Sequence, residues 1–135
     1  MQVDQMVTLP KELETVSLET GAEAVRRYAE LTTDFNPIHV DPEFAAGTKF
    51  GAPIAHGTMS LNLIVQAIER TFGTMPAGLT IEVRFVRPVK VGATIRAGGT
   101  LQSAAPGTYG IFVETQEGER AIEGICVLPP HERAS

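Results

Sequence analysis

The sequence predicts an α+β domain in which an antiparallel sheet packs against one buried helix. Residues 58–70 place Met59, Leu61, Leu63, Ile64, Val65, Ala67 and Ile68 on nearly every side of a helix. A helix apolar all round is a buried one. From Leu79 onward strand patterns dominate, about four of them, separated by Pro and Gly turn signals. With one earlier strand this makes about five, a layered α+β arrangement. At 135 residues the chain is read as a single domain, 1–135, with its core at about residues 12–128. Its 43% hydrophobic and 20% charged residues fit neither disorder nor a membrane protein. No apolar run approaches the roughly 18 residues of a membrane span.

Each element has a local reason. Residues 13–18 form a short strand-like segment, and Thr20-Gly21-Ala22-Glu23 is a capping-box signal opening a helix to about Leu31. Ala22, Val25, Ala29 and Tyr28 are expected to face inward on it. Asp41-Pro42-Glu43 reads as a second helix start, with Asp41 as N-cap and Pro42 in the first helical position, running to Ala46. A Gly-rich passage, Gly47 to Pro53, leads to the buried helix. Leu79 to Arg87 alternates Leu79, Ile81, Val83 and Phe85 against Thr80, Glu82 and Arg84, and Pro88 interrupts it. Further strands are expected at residues 93–102, 108–116 and 120–128, the last two joined by a hairpin turn at Glu117-Gly118-Glu119. Gly98-Gly99 suggests a bend or bulge, and residues 131–135 a loose tail.

The chemistry concentrates in Asp34-Phe35-Asn36-Pro37-Ile38-His39. A carboxylate and an imidazole lie five residues apart around a proline-fixed turn, so both can point at one small target. Asp accepts a proton at neutral pH, and histidine is suited to act as acid or base. Taken alone the hexapeptide is an ordinary turn signal. Asp41, however, already has a capping role, which leaves Asp34 as the carboxylate without one. The other feature is His56-Gly57-Thr58 at the start of the buried helix. The first N–H groups of a helix have no intrahelical acceptor and carry partial positive charge, which suits a developing oxyanion. Gly57 permits close approach to its backbone N–H, and equally a sharp turn into the helix. His56 is read as a buried imidazole bonding backbone.

The run Tyr28-Ala29-Glu30-Leu31-Thr32-Thr33-Asp34-Phe35-Asn36-Pro37-Ile38-His39-Val40-Asp41, then Phe44-Ala45, then Pro53-Ile54-Ala55-His56-Gly57, resembles the hydratase motif of the MaoC-like, (R)-specific enoyl-CoA hydratase and 3-hydroxyacyl-thioester dehydratase family. Arg84-Phe85-Val86-Arg87-Pro88-Val89-Lys90-Val91-Gly92 resembles the family segment after the central helix. Two positions depart from the pattern: Thr33, where many members carry Gly, and Ala93, where an acidic residue often stands. The resemblance implies a hot-dog fold, with the sheet wrapped around the central helix, and a homodimer with a continuous sheet. It implies reversible hydration of a trans-2-enoyl thioester to an (R)-3-hydroxyacyl thioester. Asp34 is then expected to activate water, His39 to supply the proton, and the Gly57 N–H to hold the thioester oxygen, with the reverse Asp34/His39 assignment left open. Asn36 is expected to brace the loop and to contact the water.

The partner is therefore an acyl-CoA or acyl-carrier-protein thioester. Arg84, Arg87 and Lys90 form a short basic strip that could meet its phosphates, or simply face solvent. A net charge of -5 argues against general nucleic-acid binding. No cofactor is expected. No metal is expected either: Asp34, His39 and His56 could be ligands by residue type, but no helical H-x-x-x-H or Cys-pair spacing supports a site. Residues 1–5 lack a signal-peptide pattern and Cys126 is the only cysteine, which suggests the cytoplasm. Three alternatives are a dehydratase of carrier-protein substrates, a hot-dog thioesterase, and a non-catalytic acyl-thioester-binding domain. A thioesterase would commonly carry its carboxylate on the central helix, where the first acidic residue here is Glu69. The intact Asp34 and His39 argue against the binding domain.

Overall fold

Hydrophobic alternation and turn chemistry produce the elements in the computed structural model, which describes residues 8–129. They run β1 (Val16–Glu19), α1 (Ala22–Thr32), α2 (Pro37–Val40), α3 (Pro42–Ala46), α4 (Gly57–Phe72), β2 (Thr80–Phe85), β3 (Thr94–Ala104), β4 (Gly107–Thr115) and β5 (Arg120–Val127). The five strands form one sheet in the order β1-β3-β4-β5-β2, every pair antiparallel. Consecutive hairpins build the β3-β4-β5 meander; β1 and β2 add to its two sides. Among the described residues no helix is long and apolar enough to cross a membrane. The expected tail at 131–135 and residues 1–5 lie outside the described residues.

The sheet packs on α4. Leu63, Ile64 and Ile68 of the helix are buried together with Ile95, Tyr109, Ile111, Val113 and Ile122 of the sheet. Period-two alternation explains β4: Tyr109, Ile111 and Val113 point inward, while Thr108, Phe112 and Glu114 face the other way. On that outer face the guanidinium groups of Arg120 and Arg96 lie 4.2 and 5.6 Å from the Phe112 ring centroid, and Glu114 pairs with both. An outward aromatic is thus covered by charge.

Several expectations need correction. Helix α4 is not buried all round: Thr58, Asn62, Gln66, Glu69 and Arg70 are exposed, and their spacing of about four residues makes one solvated stripe. Thr20 does not cap α1. Its hydroxyl donates instead to the Ala93 carbonyl at 2.7 Å, and Gly21 takes the N-cap position. Val25 and Ala29 are buried as expected, but Ala22 is exposed. The first strand starts at Val16; Leu13 is still tied to the sheet through its N–H to the Gly99 carbonyl at 3.0 Å. The Gly98-Gly99 pair is not a bulge. A Cβ on Gly98 would stand 2.8 Å from the Phe112 ring and one on Gly99 2.8 Å from Leu13, so close packing is what requires glycine there. The register shift falls further on, between Leu101 and Ser103.

Candidate active site

The site is built where α1 gives way to two short helices. Thr33 adopts the left-handed conformation (φ 56, ψ 37) and ends α1, and the Asp34 N–H bonds the Ala29 carbonyl at 3.0 Å. The chain then folds through successive side-chain turns. Asp34 Oδ1 accepts from the Asn36 N–H at 3.3 Å, and Asn36 Oδ1 accepts from the Ile38 N–H at 3.1 Å. Asn36 therefore caps α2, a turn of helix that the sequence reading did not anticipate, and Pro37 occupies its first position. Asp41 caps α3 as expected, accepting from Glu43 and Phe44.

Helix α2 carries His39. Its Nδ1 lies 2.7 Å from the Ile54 carbonyl, an acceptor only, so Nδ1 carries the proton and Nε2 is left to other partners. His56, the N-cap of α4, is only 3% exposed, and its Nε2 lies 3.0 Å from the backbone carbonyl of Asp34. The two imidazoles stack, with centroids 3.8 Å apart and planes at 27°. A carboxylate oxygen of Asp34, a ring nitrogen of His39 and a ring nitrogen of His56 all lie within 4.8 Å of one another. Near-parallel rings direct their in-plane lone pairs side by side rather than at one point. That arrangement is unsuited to a shared ion. Two hydrogen bonds of ordinary length span about 5.5 Å, so the gap between Asp34 and His39 accommodates one bridging water.

Gly57 opens α4, and its N–H has no intrahelical acceptor. A Cβ at this position would come within 3.1 Å of the Phe85 ring, so glycine lets the end of β2 close against the helix start. Between them lies a cavity of about 300 Å³, lined by His39, His56, Gly57 and Ser60 on its polar side and by Phe50, Ile54, Phe85 and Ile122 on its apolar side. Asp34 does not line this cavity. Its side chain is 51% exposed, with Oδ2 3.9 Å from His56 Nε2. Of the basic strip only Arg87 lines the cavity. Arg84 is engaged with Glu123 at 3.2 Å on the sheet surface, and Lys90 is exposed. Cys126 is buried, and burial pushes its thiol pKa up, which disfavours the thiolate a nucleophile needs.

This architecture can be set beside known proteins. A family model described as "MaoC like domain" matches residues 3–121. The chain belongs to the MaoC-like domain family. Among curated relatives it is 37% identical over 114 residues to 3-hydroxyacyl-thioester dehydratase Z of Mycobacterium tuberculosis, covering 78% of this chain and 76% of that protein. It is 32% identical over 120 residues to the (R)-specific enoyl-CoA hydratase of Aeromonas caviae, covering 84% and 88%. The solved (R)-hydratase from A. caviae involved in PHA biosynthesis superposes with a TM-score of 0.72 at 30% identity, covering 93% of this chain and 99% of that one. The fold is the hot-dog fold of the MaoC-like family, sheet against central helix. Phe85, Phe50 and Ser60 of the cavity were not singled out from the sequence. The inward alternation of the β2 segment was the available signal for Phe85.

Proposed function

We propose that this enzyme is an (R)-specific enoyl-CoA hydratase, a hydro-lyase that reversibly hydrates trans-2-enoyl-CoA to (R)-3-hydroxyacyl-CoA. The observation that carries the reading is the approach of Asp34 and His39 to within one water's span, beside the free N–H of Gly57. Asp34 takes a proton from the water as its oxygen bonds C3 of the enoyl group. The Gly57 N–H holds the thioester oxygen while negative charge develops there. The imidazolium of His39 then gives its Nε2 proton to C2. The product leaves with Asp34 protonated and His39 neutral, and transfer of that proton through the next water restores the pair. Run backwards, the same steps dehydrate a 3-hydroxyacyl thioester.

Arg87, exposed on the cavity wall, is the basic residue best placed for a phosphate of the thioester carrier. Two copies complete the unit. Strand β2 ends the sheet with its outer edge unpaired among the described residues, and Phe85 and Val86 at its end are large exposed hydrophobics. Phe85 touches Gly57, so a second copy continuing the sheet from β2 lies next to the site. Dehydration of carrier-protein thioesters is the second reading; the name of the mycobacterial relative gives the dehydration direction and a thioester, and the carrier is what the assay below decides.

The test follows loss of enoyl-thioester absorbance with crotonyl, octenoyl and branched substrates, each as CoA and as carrier-protein thioester. Asp34→Asn and His39→Gln should each lower kcat by about 10²–10⁴-fold with the fold retained. Asp41→Asn should stay nearly as active, because asparagine still caps α3. Full activity in either of the first two variants would remove that residue from the mechanism.

A further inference from the structure

We infer that His56 is a positioning residue that sets the geometry of the Asp34–His39 pair, an inference that rests on the hydration mechanism proposed above. The residue stands where a helix N-cap belongs, yet its side chain makes no capping hydrogen bond. Ser, Thr, Asn or Asp would satisfy the first turn of α4 better. The imidazole instead reaches back to the Asp34 carbonyl, 3.0 Å from Nε2. A carbonyl only accepts, so Nε2 carries the proton and Nδ1 is the bare nitrogen. That Nδ1 is buried with no partner among the described residues. One face of the ring lies on His39 at 3.8 Å, and Tyr28 leans against His56 with centroids 5.0 Å apart. Tyr28 is itself fixed, its hydroxyl lying 2.6 Å from that of Thr58 and 3.3 Å from the Asn62 amide.

One side chain at 3% exposure thus holds the backbone of Asp34 by a hydrogen bond and the ring of His39 by contact. The Asp34 loop is exposed from Leu31 to Pro37, and beyond its own local turns this bond ties it to the helix start. In this role His56 acts through Asp34 and His39 rather than by giving or taking a proton. It fixes the distance between the groups that do.

Two variants separate the contacts. His56→Phe keeps a ring against His39 and removes the donor, whereas His56→Gln keeps an N–H at the reach of Nε2 and removes the ring. A displacement of about 1 Å at a reacting group costs on the order of 10²-fold, so His56→Phe should lose about that factor in kcat with KM changed by less than about threefold. His56→Gln should recover about tenfold of it. In an Asp34→Asn background His56→Phe should cost little further, because it acts through Asp34. Nitrogen NMR of the unmodified protein should show His56 protonated at Nε2 and bare at Nδ1, a readout that requires no variant to fold. A folded His56→Phe protein with near-normal kcat, the same loss in both backgrounds, or the opposite tautomer overturns the positioning role. Full activity in Asp34→Asn would instead overturn the underlying mechanism.

Discussion

At the scale of single residues, Thr33 holds the most informative backbone. Among the described residues it is the non-glycine with positive φ, at 56°. A β-branched residue in the left-handed region costs about 1–2 kcal/mol, part of which glycine would give back as unfolded-chain entropy. Thr33→Gly should therefore stabilise the protein by about 0.5–1 kcal/mol, measured by urea unfolding. A lower stability would mean that the Thr33 side chain makes a compensating contact. The family pattern marks this position as an expected glycine, and the dihedral angles supply the reason. The role of Asp41 was legible in the sequence because its partners are local, two and three residues ahead, whereas the equally local cap of α2 by Asn36 was not anticipated. Roles were not legible where the partner is remote. The His56 bond to Asp34 and the pairing of Arg84 with Glu123 depend on how separate elements pack, which no local pattern encodes.

At the scale of elements, the start of α4 decides the oxyanion question. Gly57→Pro deletes the backbone N–H, and proline is tolerated in a first helical turn. His56 precedes it at ψ 135, a conformation that a following proline accepts. Any Cβ at this position presses the Phe85 ring, so Gly57→Ala is the control that adds the Cβ and keeps the N–H. The proline variant should fall about 10²–10³-fold in kcat below the alanine variant, with thioester affinity changed much less and a thermal melt confirming the fold. Equal activities would point to another donor. Strand patterns and the hairpin at Gly118 were readable because alternation and turn residues act over a few positions. The solvated stripe on α4 was carried by Asn62, Gln66 and Glu69, but the density of apolar residues between them masked it. At Gly98-Gly99 glycine could signal either a bulge or close packing, and only the neighbours Phe112 and Leu13 distinguish the two.

At the scale of the whole molecule, the sheet and central helix were legible because buried area and alternation dominate them, whereas the cavity was not, since its wall joins α2, α4, β2 and β5. Sedimentation should find a homodimer at assay concentration, and dilution should lower activity per chain as it dissociates. A fully active monomer would exclude the proposed pairing. The two ends of the sheet are unequal: β1 has 4 residues and β2 has 6. Between them, the outer face hides Phe112 under arginines and offers little to stick to. If β2 of one molecule met β1 of the next, each addition would leave a fresh end and the product would be an open filament. Two β2 edges meeting each other use up the stronger end on both sides at once. A short β1 makes the growing arrangement the poorer bargain, so the asymmetry of this sheet favours an assembly that stops at two.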